Sequence, residues 1–374
     1  MEIIYLSRAD VEGLDMSMKE VLDALDAGFA AKGRGNTEMP PKPGIHTRPD
    51  CFIHAMPAYV QELEVAGLKW VSGYPPNSAK GLPYISGLLI LNDCETGVPL
   101  AVMDCAWVTA MRTGASAGIS ARYLARKGSD VAAIVGCGVQ ARTSLMALVE
   151  ELPALSEVRC YDIFPEATQR FIADMATRFP ALRFVTCASA PDAVWPADVV
   201  VTAIPIVVKP EPDLDAGMLK EGGLGVSLDY DSAWTSAAMT ECDKFCSDDV
   251  GQLLATKEHG VYFGGIPGAI HADLGAMFCK GFPAHRLDRV AVAHQHHRRR
   301  AVLLAEFRHH AEHVAQADMM SQCALRRALD GRAVRHRVGK GNAEFNYVSA
   351  PPFHLQNAFP GYRQVRVTGS NKSY

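Results

Sequence analysis

Between residues 8 and 32, Val11, Leu14, Met18, Val21, Leu22, Leu25 and Phe29 recur at helical spacing, which predicts one helix there. Residues 34–50, RGNTEMPPKPGIHTRPD, are rich in proline and read as extended or looped. Strand-like runs follow: CFIHAMPAYV (51–60), EVAGLKWVSGY (64–74) and YISGLLILND (84–93). DCETG at 93–97 reads as a hairpin turn, and PLAVMD returns as a strand. Residues 106–126 form the next helix. The texture changes at 131. VAAIV is short, apolar and β-branched, as a buried parallel strand should be. Helix-like and strand-like segments then alternate: ARTSLMALVEEL, VRCYD, PEATQRFIADMATRF and RFVTC. DAVWPADVVVTAIP, GLGVSLDY and DKFCSDD carry a fourth, fifth and sixth strand. This alternation predicts an α/β class with a doubly wound parallel sheet, preceded by an α+β N-terminal domain.

Length and composition agree with that picture. A chain of 374 residues is too long for one small core. The reading is three segments: 1–125, an α+β domain; 126–293, the doubly wound domain; and 294–374, an atypical His/Arg-rich tail. With 48% hydrophobic and 21% charged residues, the chain reads as soluble and globular. A net charge of −4 argues against a nucleic-acid partner, and no apolar run is long enough for a membrane span. The N-terminus, MEIIYLSRADVEGLD, carries acids early and lacks the basic and apolar regions of a signal peptide. Ten cysteines are scattered, and the pair Cys242 and Cys246 has no second pair to complete a metal site. Reduced thiols in a cytoplasmic protein without a metal are expected.

The chemistry starts at Gly136. Gly136, Gly138 and Ala141 form G-x-G-x-x-A directly after a strand and at the start of a helix. The first glycine permits a tight turn, the second lets a pyrophosphate approach the backbone, and the small third residue lets helix and strand pack closely. The helix N-terminus, opened by Val139 and Gln140, faces the phosphates with free N–H groups. Asp162 ends the second strand, where an acid accepts from the adenosine ribose hydroxyls. A Rossmann-type sheet that binds NAD is therefore expected. The carboxylate disfavours a 2′-phosphate, although Arg159 and Arg170 lie near enough in sequence to soften that preference.

Arg112 stands in MRTGASAGISARYLAR, before the nucleotide-binding segment. The small residues after it, Thr113 to Gly118, would let a flat ring or a phosphate lie close to the helix. A guanidinium there can hold a carboxylate in two hydrogen bonds, or pair with an acid at a domain interface.

AMPAY, GLKWV, ILNDCETGVPLAVMD, MRTGASAG and VGCGVQA, in this order, resemble the ornithine cyclodeaminase and mu-crystallin family over roughly residues 1 to 292. The resemblance implies that Lys69 and Arg112 hold a substrate carboxylate before the nicotinamide, with Lys42 where the family usually offers an arginine. It implies that Asp229, in GVSLDYD, is the catalytic acid/base, with Asp231 as a rival and Lys69 as its catalytic companion. The candidate cofactor contacts are Arg112, Thr113, Gly136, Gly138, Val139, Gln140, Asp162 and Thr202. The activity implied is NAD-dependent conversion of L-ornithine, or a related amino acid, to L-proline and ammonia by hydride removal, ring closure and hydride return. Two alternatives stand beside it: net oxidoreduction of an amino acid or cyclic imine, and ligand binding without turnover as in mu-crystallin. A homodimer through the N-terminal domain is also implied. One departure touches substrate choice. The family's cyclodeaminases continue after the aspartate with Pro-Gly-Lys-Thr-Glu, whereas this chain has Tyr230, Asp231, Ser232, Ala233 and Trp234.

The second departure begins at 294. HQHHRRRAVLLAEFRHHAEHV reads as a basic helix in which His309 and His313 are four apart, but no Cys or Asp cluster accompanies them. Moving the reading frame by one nucleotide converts such His and Arg codons into a segment such as I-N-I-I-G-V-A, which resembles the family's apolar strand. The tail from about 294 is therefore expected to be out of frame, which the gene's codons decide.

Overall fold

The computed structural model describes residues 3–40, 42–207, 209–258, 262–280 and 289–294. The chain opens with β1 (Ile4–Leu6), α1 (Arg8–Glu12) and α2 (Met18–Gly33). The single helix expected over 8–32 is thus two. Ser7 and Ser17 each start a helix with a capping box, completed by Asp10 and Glu20. Between them Gly13 closes α1 and Asp15 adopts φ 49°. The apolar periodicity runs through the break because Val11 and Val21, Leu22, Leu25 and Phe29 are all buried.

The proline-rich stretch forms two short strands, β2 (Thr37–Glu38) and β3 (Gly44–Ile45). Then come β4 (Phe52–Val60), β5 (Val65–Gly73), β6 (Ile85–Asn92) and β7 (Pro99–Asp104), close to the expected bounds. The sheet order is β1-β7-β6-β5-β4-β2, with β3 also on β4; β1 is parallel to β7 and the rest are antiparallel. Burial alternates along these strands, as one covered face requires. The other face is apolar and open at Trp70, Leu88 and Ile45.

The next helix, α3 (Ala106–Leu124), is covered throughout residues 111–121. The structure corrects the expectation that its small residues leave a surface for a ligand. A Cβ on Gly114 would lie 2.3 Å from the Thr143 carbonyl carbon, and one on Gly118 would lie 2.7 Å from Ala147 Cβ. Both neighbours belong to α4 (Val139–Glu151), so the small residues let two helices touch at backbone distance. Gly114→Val should therefore force the helices apart and cost roughly 2–3 kcal/mol or more. A thermal melt checks this; a wild-type midpoint would contradict the packing.

A parallel sheet follows: β8 (Val131–Val135), α4, β9 (Glu157–Tyr161), α5 (Pro165–Arg178), β10 (Arg183–Thr186), α6 (Ala190–Val194), β11 (Val199–Thr202) and β12 (Leu224–Ser227). It continues with α7 (Ser236–Glu241), β13 (Lys244–Ser247), α8 (Val250–Glu258), β14 (Ala272–Asp273), α9 (Leu274–Lys280) and β15 (Val290–Ala293). The order is β10-β9-β8-β11-β12-β15-β13-β14, parallel throughout. The doubly wound sheet is as expected, and its crossovers reverse between β8 and β11, where such sheets open a ligand crevice at their carboxyl ends. β14 and β15 were not legible as strands. The run VAVA is only four residues long and ends directly before the His/Arg-rich change in texture. That segment from 295, including His309 and His313 and the question of its frame, lies outside the described residues.

The first sheet has its own apolar cluster, with Met56, Leu89, Leu91 and Met103, whereas the helices beside it pack on the parallel sheet. Leu22, Leu25 and Phe29 of α2 and Ala115, Ala117 and Ile119 of α3 share one apolar core with Leu145 and Leu148 of α4 and Ile134 of β8. The N-terminal helices are thereby fixed against the parallel sheet and its helix α4.

Candidate active site

Gly136 follows β8 with φ +87°, a conformation that favours glycine. A Cβ there would also strike the Ala203 carbonyl oxygen at 2.7 Å. Gly138 is different: a Cβ on it would meet nothing within 4 Å. It is the N-cap of α4, and no side chain caps that helix. The loop thus offers an open approach to the uncapped N–H groups of a 13-residue helix, which is what a pyrophosphate needs. Ala141 is fully buried, as the close helix–strand contact requires.

Asp162 sits one residue past β9. Its Oδ2 accepts from the Cys137 backbone N–H at 2.8 Å and its Oδ1 from that of Phe164 at 2.9 Å. The carboxylate therefore braces the glycine loop, and each oxygen retains a second lone pair for a ligand hydroxyl. Arg142 braces the same loop from the other side, donating to the Cys137 and Gly138 carbonyls and to Asp174. Sequence reasoning passed over Arg142, although an arginine one helical turn after the loop can reach back to its carbonyls. Val139, Ile163 and Phe164 are exposed around this end, at 64%, 72% and 63%. Gln140 is half-buried, with its Oε1 3.5 Å from the Thr143 hydroxyl.

Asp229 lies two residues beyond β12 and is fully buried. Thr202 Oγ1 donates to its Oδ1 at 2.7 Å, Ser227 Oγ reaches the same oxygen at 2.8 Å, and Ile204 N–H donates to Oδ2 at 3.0 Å. Burial pushes its carboxyl up to about 6, against the lowering effect of those hydrogen bonds. Thr202, expected as a cofactor contact, gives its hydroxyl to Asp229. Ser227, like Arg142, is marked by no motif; it ends β12 two positions before Asp229 and faces the same carboxylate. Gly136, Ala203 and Ile204 join this group to the glycine loop, since Gly136 packs on Ala203 and Ile204 holds Asp229.

The three cationic candidates are all buried: Lys69 at 0%, Arg112 at 2% and Lys42 at 2%. Lys69 stands in mid-strand on β5, opposite Met56 and Leu89, on the covered face of the sheet. Arg112 and the buried Thr113 precede Gly114, so the contact with α4 fixes their helix against the glycine loop. Lys42 lies in the field of Asp248. Burial pushes the Asp248 carboxyl up, but His294 and the charges of Lys32 and Lys42 outweigh it and hold the group below the usual carboxylate range. The rival, Asp231, is half-buried, and its Oδ2 accepts from the Phe263 N–H at 2.6 Å. Among the described residues no cluster of His, Cys, Asp and Glu could hold a metal ion. None of the described helices is long and apolar enough to cross a membrane.

Residues 1–228 match the sequence profile of the ornithine cyclodeaminase/mu-crystallin family, and this chain belongs to that family. The chain is 43% identical to alanine dehydrogenase of Archaeoglobus fulgidus over 173 residues, 46% of this chain and 52% of that one. It is 35% identical to L-lysine cyclodeaminase of Streptomyces rapamycinicus over 258 residues, 66% of this chain and 73% of that one. Among solved structures it is similar to the Δ1-pyrroline-2-carboxylate reductase of Thermococcus litoralis in complex with NADH and L-proline. That likeness has a TM-score of 0.75 and 29% identity, and covers 89% of this chain and all of the other.

Proposed function

We propose that this protein is an NAD(H)-dependent enzyme that exchanges hydride with Cα of a small α-amino acid or its imine, and that its net reaction is oxidoreduction. The observation that carries the reading is Asp229, a buried carboxyl at about 6 held by the N–H of Ile204, on whose side chain and neighbour Ala203 Gly136 of the glycine loop packs. A proton-transfer group works best with a pKa near the operating pH. The nucleotide end fits NAD, since Gly138 leaves the approach open and α4 is uncapped. When bound, NAD accepts or returns the hydride. The rest falls to this chain: Lys69 and Arg112, helped by Lys42, hold the substrate carboxylate, and Asp229 takes or gives the proton at the Cα nitrogen. Thr202 and Ser227 keep the Asp229 carboxylate turned toward that nitrogen.

Cyclodeamination of L-ornithine is the second reading, favoured by the likeness to a lysine cyclodeaminase. It stands second because Tyr230, Ser232, Ala233 and Trp234 are packed into the interior where the cyclodeaminases carry their Pro-Gly-Lys-Thr-Glu segment. Incubation with NAD and either L-alanine or L-ornithine separates the two, with NADH, ammonia and proline measured together. Accumulating NADH with ammonia supports oxidoreduction. Proline and ammonia without net NADH would move the protein to the cyclodeaminases.

Asp162→Ser is expected to weaken NAD binding about 10- to 100-fold, because it removes a charged acceptor and the brace on Cys137. Titration of the pure protein with NAD checks this, and unchanged affinity would remove the assignment. The open apolar face of the first sheet, with Trp70, Leu88 and Ile45, is read as the contact between two copies of this chain. Sedimentation should show a dimer at micromolar concentration; a persistent monomer would sink that reading.

A further inference from the structure

The turn after Asp229 is built against the usual preferences of its residues. Asp229 O accepts from Ser232 N–H at 3.1 Å, which closes a four-residue turn. Its second residue, Tyr230, has φ +62°, a region that favours glycine and penalises a bulky side chain. Facing it is Phe263, also left-handed at φ +59°. Two bulky residues with strained backbones in contact, beside one buried carboxyl, call for a physical cause.

That cause lies in the contacts between the turn and the 262–266 segment. Ring centroids are 5.0 Å apart for Tyr230 and Phe263, and 5.2 Å for Tyr230 and Tyr262 in an edge-on arrangement. Tyr230 and Phe263 are both buried. Apolar burial and ring contact offset the strain at Tyr230. The carboxylate of Asp231 then accepts from the Phe263 N–H at 2.6 Å and ties the turn to this segment. On the far side, Gly265 admits Ser236 of α7, since a Cβ there would fall 1.8 Å from the Ser236 hydroxyl oxygen. The segment is thus seated at two points.

The turn reaches Asp229 through one atom. Ser227 Oγ lies against both Asp229 Oδ1 and the carbonyl oxygen of Tyr230. A hydroxyl carries one hydrogen, so the direction of the Tyr230 carbonyl decides how Ser227 meets Asp229. The left-handed Tyr230 sets that direction.

We propose that Asp231 is a positioning residue: by holding Phe263 it fixes the strained turn at Tyr230, and through Ser227 it fixes the carboxylate of Asp229. It is not a second proton-transfer group. The proposal rests on the role given to Asp229 above.

The test compares Asp231→Asn with Asp231→Ala in the full-length protein with NAD bound. Asparagine keeps an oxygen for the Phe263 N–H but loses the charge; alanine loses both. The expected result is a kcat close to wild type for Asp231→Asn, and about a 100-fold loss for Asp231→Ala with NAD affinity unchanged. The titration midpoint of Asp229, followed by carboxyl-carbon NMR and assigned by its absence from Asp229→Asn, should be displaced in Asp231→Ala and stay in place in Asp231→Asn. Equal loss in both variants would show that the charge itself acts, and overturns the proposal. So would a wild-type kcat and midpoint in Asp231→Ala. Should Asp231→Ala fail to fold, Ser227→Ala takes its place: a displaced Asp229 midpoint and a lowered kcat there, beside a retained Asp231→Asn, uphold the proposal, and a wild-type midpoint in Ser227→Ala or a loss in Asp231→Asn overturns it. If the wild type turns over no amino acid, the functional reading fails, while the NMR midpoint still tests the positioning.

Discussion

Asp229→Asn is expected to lower kcat by about 10²- to 10⁴-fold, to leave NAD bound, and to make the protein more stable at neutral pH. The first part follows from the proton role; the second and third follow from the geometry. Asparagine can turn its oxygen to the Ile204 N–H and its amide toward the hydroxyls of Thr202 and Ser227, which can rotate to accept. No buried group is stranded. The stability change has a definite sign. Burial raises the folded carboxyl from 3.8 to about 6, so the folded state holds this proton more tightly than the unfolded chain does. Stability contributed by the carboxyl therefore falls as pH rises from about 4 to about 6 and is level above that. Two pKa units correspond to about 3 kcal/mol. The variant lacks this loss, so its advantage over wild type should be near zero below pH 4 and about 3 kcal/mol above pH 6. Denaturant unfolding at several pH values, beside steady-state kinetics, checks both parts. Near-normal turnover, or a stability difference that does not change with pH, would contradict the assignment.

Arg112→Ala should lower kcat/KM by about 10²- to 10³-fold, mainly through KM, because a buried guanidinium holding a carboxylate is worth roughly 2–5 kcal/mol. Arg112→Lys keeps the charge and loses the fork, so it should fall between alanine and wild type. NAD affinity separates two roles that share this residue. An unchanged Kd for NAD assigns Arg112 to the substrate carboxylate alone, and a rise in both constants assigns it to both ligands. A KM equal to that of wild type would remove Arg112 from the site.

The nucleotide half was legible because each of its signals has one local cause. Gly136 needs φ > 0, Gly138 must be bare, and Asp162 must end a strand; residue type and spacing alone encode all three. The β4–β7 sheet was legible from alternation. What escaped was tertiary. The small residues after Arg112 look the same in sequence whether a ligand or a helix covers them, and only the position of α4 decides between the two. The helix break between α1 and α2 was masked by an apolar stripe that both helices share. Ser227 and Arg142 act on a neighbour's orientation, and no motif announces such a role. The turn at Tyr230 was beyond reach, because a tyrosine with φ +62° is held there by Tyr262 and Phe263, more than thirty residues away.

The most direct measurement is to supply NAD with L-alanine and L-ornithine deuterated at Cα, and to weigh both cofactor and product. A hydride path between Cα and nicotinamide predicts reduced cofactor heavier by one mass unit for an oxidised substrate. For a cyclised one it predicts turnover slowed by the label, with the deuterium returned to the product. Bound NAD that never acquires the label, beside a substrate that keeps it without any isotope effect on consumption, would contradict hydride transfer at this site.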